Sequence, residues 1–178
     1  LKELRNVKVL HIATHGFFMD NEDMSTDLEG LNKNRAIENP LHRCGLLLKD
    51  GGYLMNQDNV YQFNSSDGIL TAYEAMNLNF DNTDLVVLSA CETGLGKVQQ
   101  GEGVFGLQRS FLVAGSKSVI MSLFKVSDEV TQELMNTFYE KWITTGNKRQ
   151  AFIDAKKVIK EKYQWPIYWG AFIMVGLE

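Results

Sequence analysis

Cys91 and His15 are the side chains of this sequence whose surroundings point to chemistry. Cys91 closes the run Leu85-Val86-Val87-Leu88-Ser89-Ala90-Cys91 and is followed by Glu92-Thr93-Gly94. His15 closes a run of the same grammar, Val7-Lys8-Val9-Leu10-His11-Ile12-Ala13-Thr14-His15, and is followed by Gly16. A cysteine attacks as its thiolate, and an unperturbed thiol, with a pKa of roughly 8.5, is only slightly ionised at neutral pH. A neighbouring imidazole either takes the proton or, once charged, stabilises the thiolate. The N–H groups of Gly16 and Cys91 could hold the oxygen of a tetrahedral intermediate, since a glycine lets the backbone approach a substrate closely. These are the parts of a thiol hydrolase. His11 precedes His15 by four residues, about 13 Å back along a continuous strand, and is expected in the body of the sheet.

Competing motifs fail on spacing. Gly96-Lys97 invites a phosphate-loop reading, but that register needs glycine where Cys91 stands and Ser or Thr where Val98 stands. A zinc site of His11, His15 and Cys91 would spread its imidazoles too widely along a strand. Asp20-Asn21-Glu22-Asp23 lacks the glycine and the closing glutamate of a calcium loop. A buried cysteine is commonly a small core hydrophobe, and Cys44, inside an apolar run, reads as one.

The elements that must position the pair are read from periodicity and turn residues. Apolar runs predict strands over 7–13, 44–48, 84–90 and 118–124, with a last one over 169–175. In an open α/β sheet, ligands collect at the carboxyl ends of such strands. Capping-box spacing at Thr71 and Glu74 predicts a short helix to about Leu78. A further helix is expected over 104–114, closed by Gly115. Ser127 or Asp128 caps a long amphipathic helix to about Trp142, with Val130, Leu134, Phe138 and Trp142 inward. Asn147 starts a last helix through Ala151, Ala155, Val158 and Ile159, and Trp165-Pro166 breaks it. Residues 16–42 and 56–67 read as long polar loops, and 94–103, with its clustered glycines, as a turning loop that must be ordered before an oxyanion hole works. Strands alternating with helices imply an α/β fold whose mostly parallel sheet is covered on both faces.

Composition bounds the remainder. The chain has 178 residues, 44% of them hydrophobic, which suits one well-packed domain. A net charge of −4 gives no reason to expect attraction to nucleic acid or to an anionic membrane, and no apolar run approaches the roughly 18–20 residues of a membrane span. Cys44 and Cys91, the chain's two thiols, form no metal-ligand spacing and suit a reducing cytoplasm. The chain opens on Leu1 with no signal peptide, and reads as a piece of a longer protein.

The ordered motifs resemble a known family. His11-Ile12-Ala13-Thr14-His15-Gly16 and Ser89-Ala90-Cys91-Glu92-Thr93-Gly94 look like the two signature blocks of the CHAT domain, in the caspase–separase clan of cysteine peptidases. Gly101-Glu102-Gly103, Phe111-Leu112-Val113-Ala114-Gly115, the block from Val119 to Asp128, and Trp169-Gly170-Ala171-Phe172 follow in order. The resemblance implies a caspase-like three-layer sandwich, with His15 as general base, Cys91 as nucleophile, and Gly16 and Cys91 as oxyanion donors. It implies peptide hydrolysis through a thioester, with no metal or organic cofactor. Asp128 and Ser89 would line the pocket for the residue before the cleaved bond, and Asp128 would favour a basic side chain there. An aspartate after Ser127 also makes a helix cap. Phe124 stands where the family often has Trp. The resemblance further implies an upstream helical-repeat regulatory region, an activating partner, and a setting such as bacterial defence or signalling, including CRISPR-associated and pore-releasing systems. The alternatives are a catalytically silent scaffold of the same fold and a thiol amidase acting on small molecules.

Overall fold

A computed structural model describes residues 4, 7–18, 39–49, 68–89, 102–124 and 127–177. Strand β1 (Val9–Ile12) runs parallel to β5 (Leu85–Leu88), β5 parallel to β6 (Ser118–Ser122), and β7 (Phe172–Gly176) antiparallel to β6. This gives a four-stranded sheet of order β1-β5-β6-β7 among the described residues. A second sheet of order β2-β3-β4 is built from β2 (His15–Phe18), β3 (Cys44–Leu47) and β4 (Ile69–Thr71), all antiparallel.

Successive strand residues point to opposite faces, and the sequence exploits this on both sides. Leu10, Ile12, Val86, Leu88, Val119 and Met121 share one apolar core with helices α1 (Ala72–Met76) and α2 (Glu102–Val113), through Ala75, Leu107 and Phe111. Leu85, Val87 and Ile120 share the other with α3 (Asp128–Thr145) and α4 (Lys148–Lys162), through Val130, Leu134, Phe138, Phe152 and Ile159. β5 and β6 are buried on both faces, which is why they read as unbroken apolar runs. The mixed α/β class, the mostly parallel sheet and its helical cover are as the sequence predicts.

Local chemistry sets the helix ends. Thr71 and Glu74 form the expected capping box, each side chain bonding the other's backbone N–H. The Ser127 hydroxyl, rather than Asp128, accepts from the N–H of Val130 and caps α3. Asn147 caps α4, and Gly146, with φ of 70°, closes α3 in the left-handed conformation that glycine adopts without strain. A four-residue helix, α5 (Pro166–Trp169), precedes β7.

The structure departs from the sequence reading at several points. The strand expected over 7–13 is β1, but a second strand follows it where a loop was expected. The chain leaves β1 at Ala13-Thr14, where the Thr14 hydroxyl donates to the Leu47 carbonyl, and resumes as β2 in the other sheet. Gly16 therefore opens no loop; it lies within β2, opposite Leu46 of β3. β4 was hidden by its brevity, three residues directly before a helix. Helix α2 begins at Glu102, so Gly103 belongs to the helix and not to a loop. Val158 is 37% exposed rather than inward, and the buried turn of α4 is completed by Phe152 and Ile159. The final strand starts at Phe172, because Pro166 to Trp169 are helical. The expected loops over 56–67 and 94–101 lie outside the described residues, as does most of that over 16–42. No helix among the described residues is long and apolar enough to cross a membrane.

Candidate functional site

The strand order brings the two chemical runs together. β1 and β5 are hydrogen-bonded neighbours, and their last paired residues are Ile12 and Leu88. The pairing extends one step further, since the N–H of Ser89 donates to the Ile12 carbonyl at 3.1 Å. His15 follows Ile12 by three positions in the sequence, and Cys91 follows Leu88 by three. His15 is exposed, and Gly16 beside it is buried in β2, the edge strand of its sheet among the described residues. Cys91 lies outside the described residues, so its sulfur's geometry to His15 is no part of the description. Ser89 is the last described residue on that side of the gap.

A cavity of about 720 Å³ opens beside these strand ends. His11 and Ala13 of the β1 edge and Ser89 after β5 form one wall; Asp128, Glu129, Met135 and Tyr139 of α3 form the other. The helical wall is a stripe, because Asp128, Gln132, Met135 and Tyr139 recur at steps of four, three and four residues. Asp128 and Glu129 occupy the first turn of α3, where a helix favours negative charge. Both substrate-pocket residues expected from the sequence, Ser89 and Asp128, thus line the same cavity. With Ser127 serving as the cap, the Asp128 carboxylate is not the capping group of α3.

His11 meets the expectation only in part. Its backbone sits in the sheet, opposite Val87, as expected, but its side chain lines the cavity and reaches solvent, with Nε2 3.0 Å from the Ser89 hydroxyl oxygen. The Tyr139 hydroxyl stands 3.1 Å from its Nδ1, and the two rings lie 5.9 Å apart. The strand spacing of about 13 Å between His11 and His15 does not apply, because β1 ends at Ile12 and His15 opens a strand of the other sheet. Period-two alternation carried the missed signal: Leu10 and Ile12 face the α1–α2 core, so His11 and Ala13 must face α3. Nothing in the spacing of Tyr139 in the sequence marks its hydroxyl as a partner for His11. Partial burial lowers the His11 pKa below its ordinary value, and raises that of Tyr139 above its own.

Cys44 is the contrasting thiol. It is 2% exposed in β3, packed against Gly106 of α2, and burial pushes its pKa up to about 11. A thiol so placed stays protonated and inert at neutral pH.

Comparison with known proteins adds the family. A family model described as the CHAT domain matches residues 1–177. Tetratricopeptide repeat protein 28 of Homo sapiens is 29% identical over 112 residues, which is 62% of this chain and 4% of that protein. Its counterpart in Mus musculus is 30% identical over 113 residues, again 62% of this chain and 4% of that protein. The chain therefore spans only a small fraction of the length of these relatives.

Proposed function

The chain belongs to the CHAT domain family, and from that premise we propose that it is a cysteine endopeptidase with His15 as general base and Cys91 as nucleophile. The observation that carries this reading is the β1–β5 register: two neighbouring parallel strands, paired to Ile12 and Leu88, each lead within three residues to one member of the dyad. Two further observations support it: His15 is exposed, and a cavity, though not lined by His15, opens beside the strand ends through His11, Ala13 and Ser89.

In the proposed reaction His15 takes the proton of the Cys91 thiol, and the sulfur adds to the carbonyl carbon of the peptide bond. The carbonyl oxygen becomes an oxyanion, held by the N–H groups of Gly16 and Cys91. The C–N bond then breaks, and His15 returns its proton to the departing amine, leaving a thioester. Water, deprotonated by His15, adds to the thioester; the C–S bond breaks and the acid product leaves. Ser89 and Asp128 are proposed as walls of the pocket for the side chain preceding the cleaved bond. The carboxylates of Asp128 and Glu129 favour a basic side chain there. The scheme requires no metal or organic cofactor.

The same reading takes the chain as a single domain that acts within a longer protein. Its similarity to tetratricopeptide repeat proteins supports an upstream repeat region, and engagement of an activating partner by that region is part of the proposal. A defence setting rests on no residue of this chain and is not proposed. The test is turnover of fluorogenic peptides with Arg or Leu before the cleavable bond, by the full-length protein with and without lysate as a source of activator. Wild-type turnover that disappears in both Cys91→Ala and His15→Ala supports the peptidase. Turnover absent under every condition, or unchanged in Cys91→Ala, overturns it and favours the scaffold.

A further inference from the structure

His11 has no part in the proposed dyad, yet both of its ring nitrogens are engaged within the cavity wall. Its two ring nitrogens meet the Ser89 hydroxyl at 3.0 Å and the Tyr139 hydroxyl at 3.1 Å, so it ties β1 to the end of β5 and to α3. We propose that His11 is a specificity-determining residue: a neutral imidazole pinned between Ser89 and Tyr139 that lets the cavity take a cationic side chain, and that on protonation turns such a side chain away. The inference rests on the cavity being the substrate pocket, and it deepens that reading with a pH-dependent choice of substrate.

The argument is one of donors and charge. A neutral imidazole has one N–H and one bare nitrogen, so it accepts from one of its two hydroxyls and donates to the other. When Ser89 donates to Nε2, its oxygen lone pairs remain free to accept from a guanidinium or ammonium group. An imidazolium donates from both nitrogens, consumes a lone pair on each hydroxyl oxygen and turns both hydroxyl hydrogens outward. A cationic ligand, which only donates, then meets donors and an added positive charge. Among the described residues the titratable groups lining the cavity are His11 on β1 and Asp128, Glu129 and Tyr139 on α3; β5 contributes only Ser89. His11 is the member of this set that gains positive charge on acidification. Its lowered pKa keeps it neutral at physiological pH and puts the switch on the acid side of neutrality.

Binding of benzamidinium, with uncharged benzamide as its isostere, tests this on the full chain and needs no turnover. Wild-type protein is expected to lose about five- to tenfold in benzamidinium affinity between pH 7.5 and pH 5.5, the size of a one-charge change at a partly exposed site, with benzamide affinity nearly constant. His11→Gln keeps a donor and an acceptor but cannot titrate, and should hold its benzamidinium affinity across that range. His11→Asn serves the same purpose if the glutamine variant does not fold. Asp128→Asn should weaken benzamidinium binding at every pH without removing the switch. An equal loss in the His11 variants, or wild-type protein that binds benzamidinium no better than benzamide at pH 7.5, overturns the proposal. A switch seen in a protein that never cleaves peptides would uphold His11 as the pH-dependent gate on cation binding, and would sink the peptidase reading and the choice of peptide substrate with it.

Discussion

His11 and Cys44 show how far the surroundings of a residue decide its chemistry. His11 is partly and Cys44 almost wholly withdrawn from water, and in both burial disfavours the charged form. For His11 the native state binds its proton less readily than the unfolded chain does. The sign is therefore that stability is full above the ordinary histidine value of about 6.5 and falls as pH drops through and below it. His42, whose pKa burial also lowers, adds to the same acid-side loss. Denaturant midpoints should fall between pH 7.5 and pH 5, and His11→Gln should flatten part of that slope and leave the share of His42. For Cys44 the prediction is kinetic: alkylation by iodoacetamide at pH 8 should be slow in the native protein and fast once it is unfolded. Much at this scale was legible in the sequence. Cys44 was readable as a core thiol because it opens the apolar run to Leu48. The role of His11 was not, because it depends on a Tyr139 hydroxyl that is 128 residues away in sequence.

The elements that carry the site are fixed by a few local devices, and most of these could be read in advance. The capping box of Thr71 and Glu74, the Asn147 cap and the Gly115 closure, with φ of 104°, are signals confined to a few residues. Ser127→Ala removes the hydroxyl that accepts from Val130 and should cost about 1 kcal/mol in chemical denaturation, with Asp128 unable to substitute fully. β2 and β4 escaped prediction for a different reason. Each has at most four residues, and their pairing with β3 depends on contacts distant in sequence. Gly45 lies at the middle of that sheet, where an added Cβ would meet the Leu70 carbonyl and approach a Phe17 ring carbon at 2.9 Å. Gly45→Ala should destabilise by about 1–3 kcal/mol, the range for overpacking, and loosen β2 with His15 and Gly16 upon it. Amide exchange across 15–18 would report this as faster exchange than in β5.

The three-layer arrangement makes both cores depend on the same sheet. β5 and β6 supply residues to each face, so loss of packing on one side removes the support of the other. Phe111 and Phe138, each fully buried and on opposite faces, should each cost about 3–5 kcal/mol when replaced by alanine. If the chain is one cooperative unit, both variants shift a single transition seen alike by far-ultraviolet circular dichroism and tryptophan fluorescence; separate transitions would mark independent parts. The parallel strands and their helical cover were legible as short, largely unbroken apolar runs alternating with runs of period 3.6. The division into two sheets was not, because β2 resumes at His15, at the start of a stretch that reads as a polar loop. Membership of the CHAT family and the β1–β5 register together place the greatest weight on one prediction, the reactivity of Cys91. Its most direct test is exposure of the full-length protein, with an activating lysate, to an irreversible peptidyl electrophile, followed by mass-spectrometric mapping of the modified residue. Modification confined to Cys91, sharply reduced in His15→Ala and unchanged in Cys44→Ala, is the expected result. A Cys91 left unmodified under every condition, or labelled equally well without His15, would contradict the dyad.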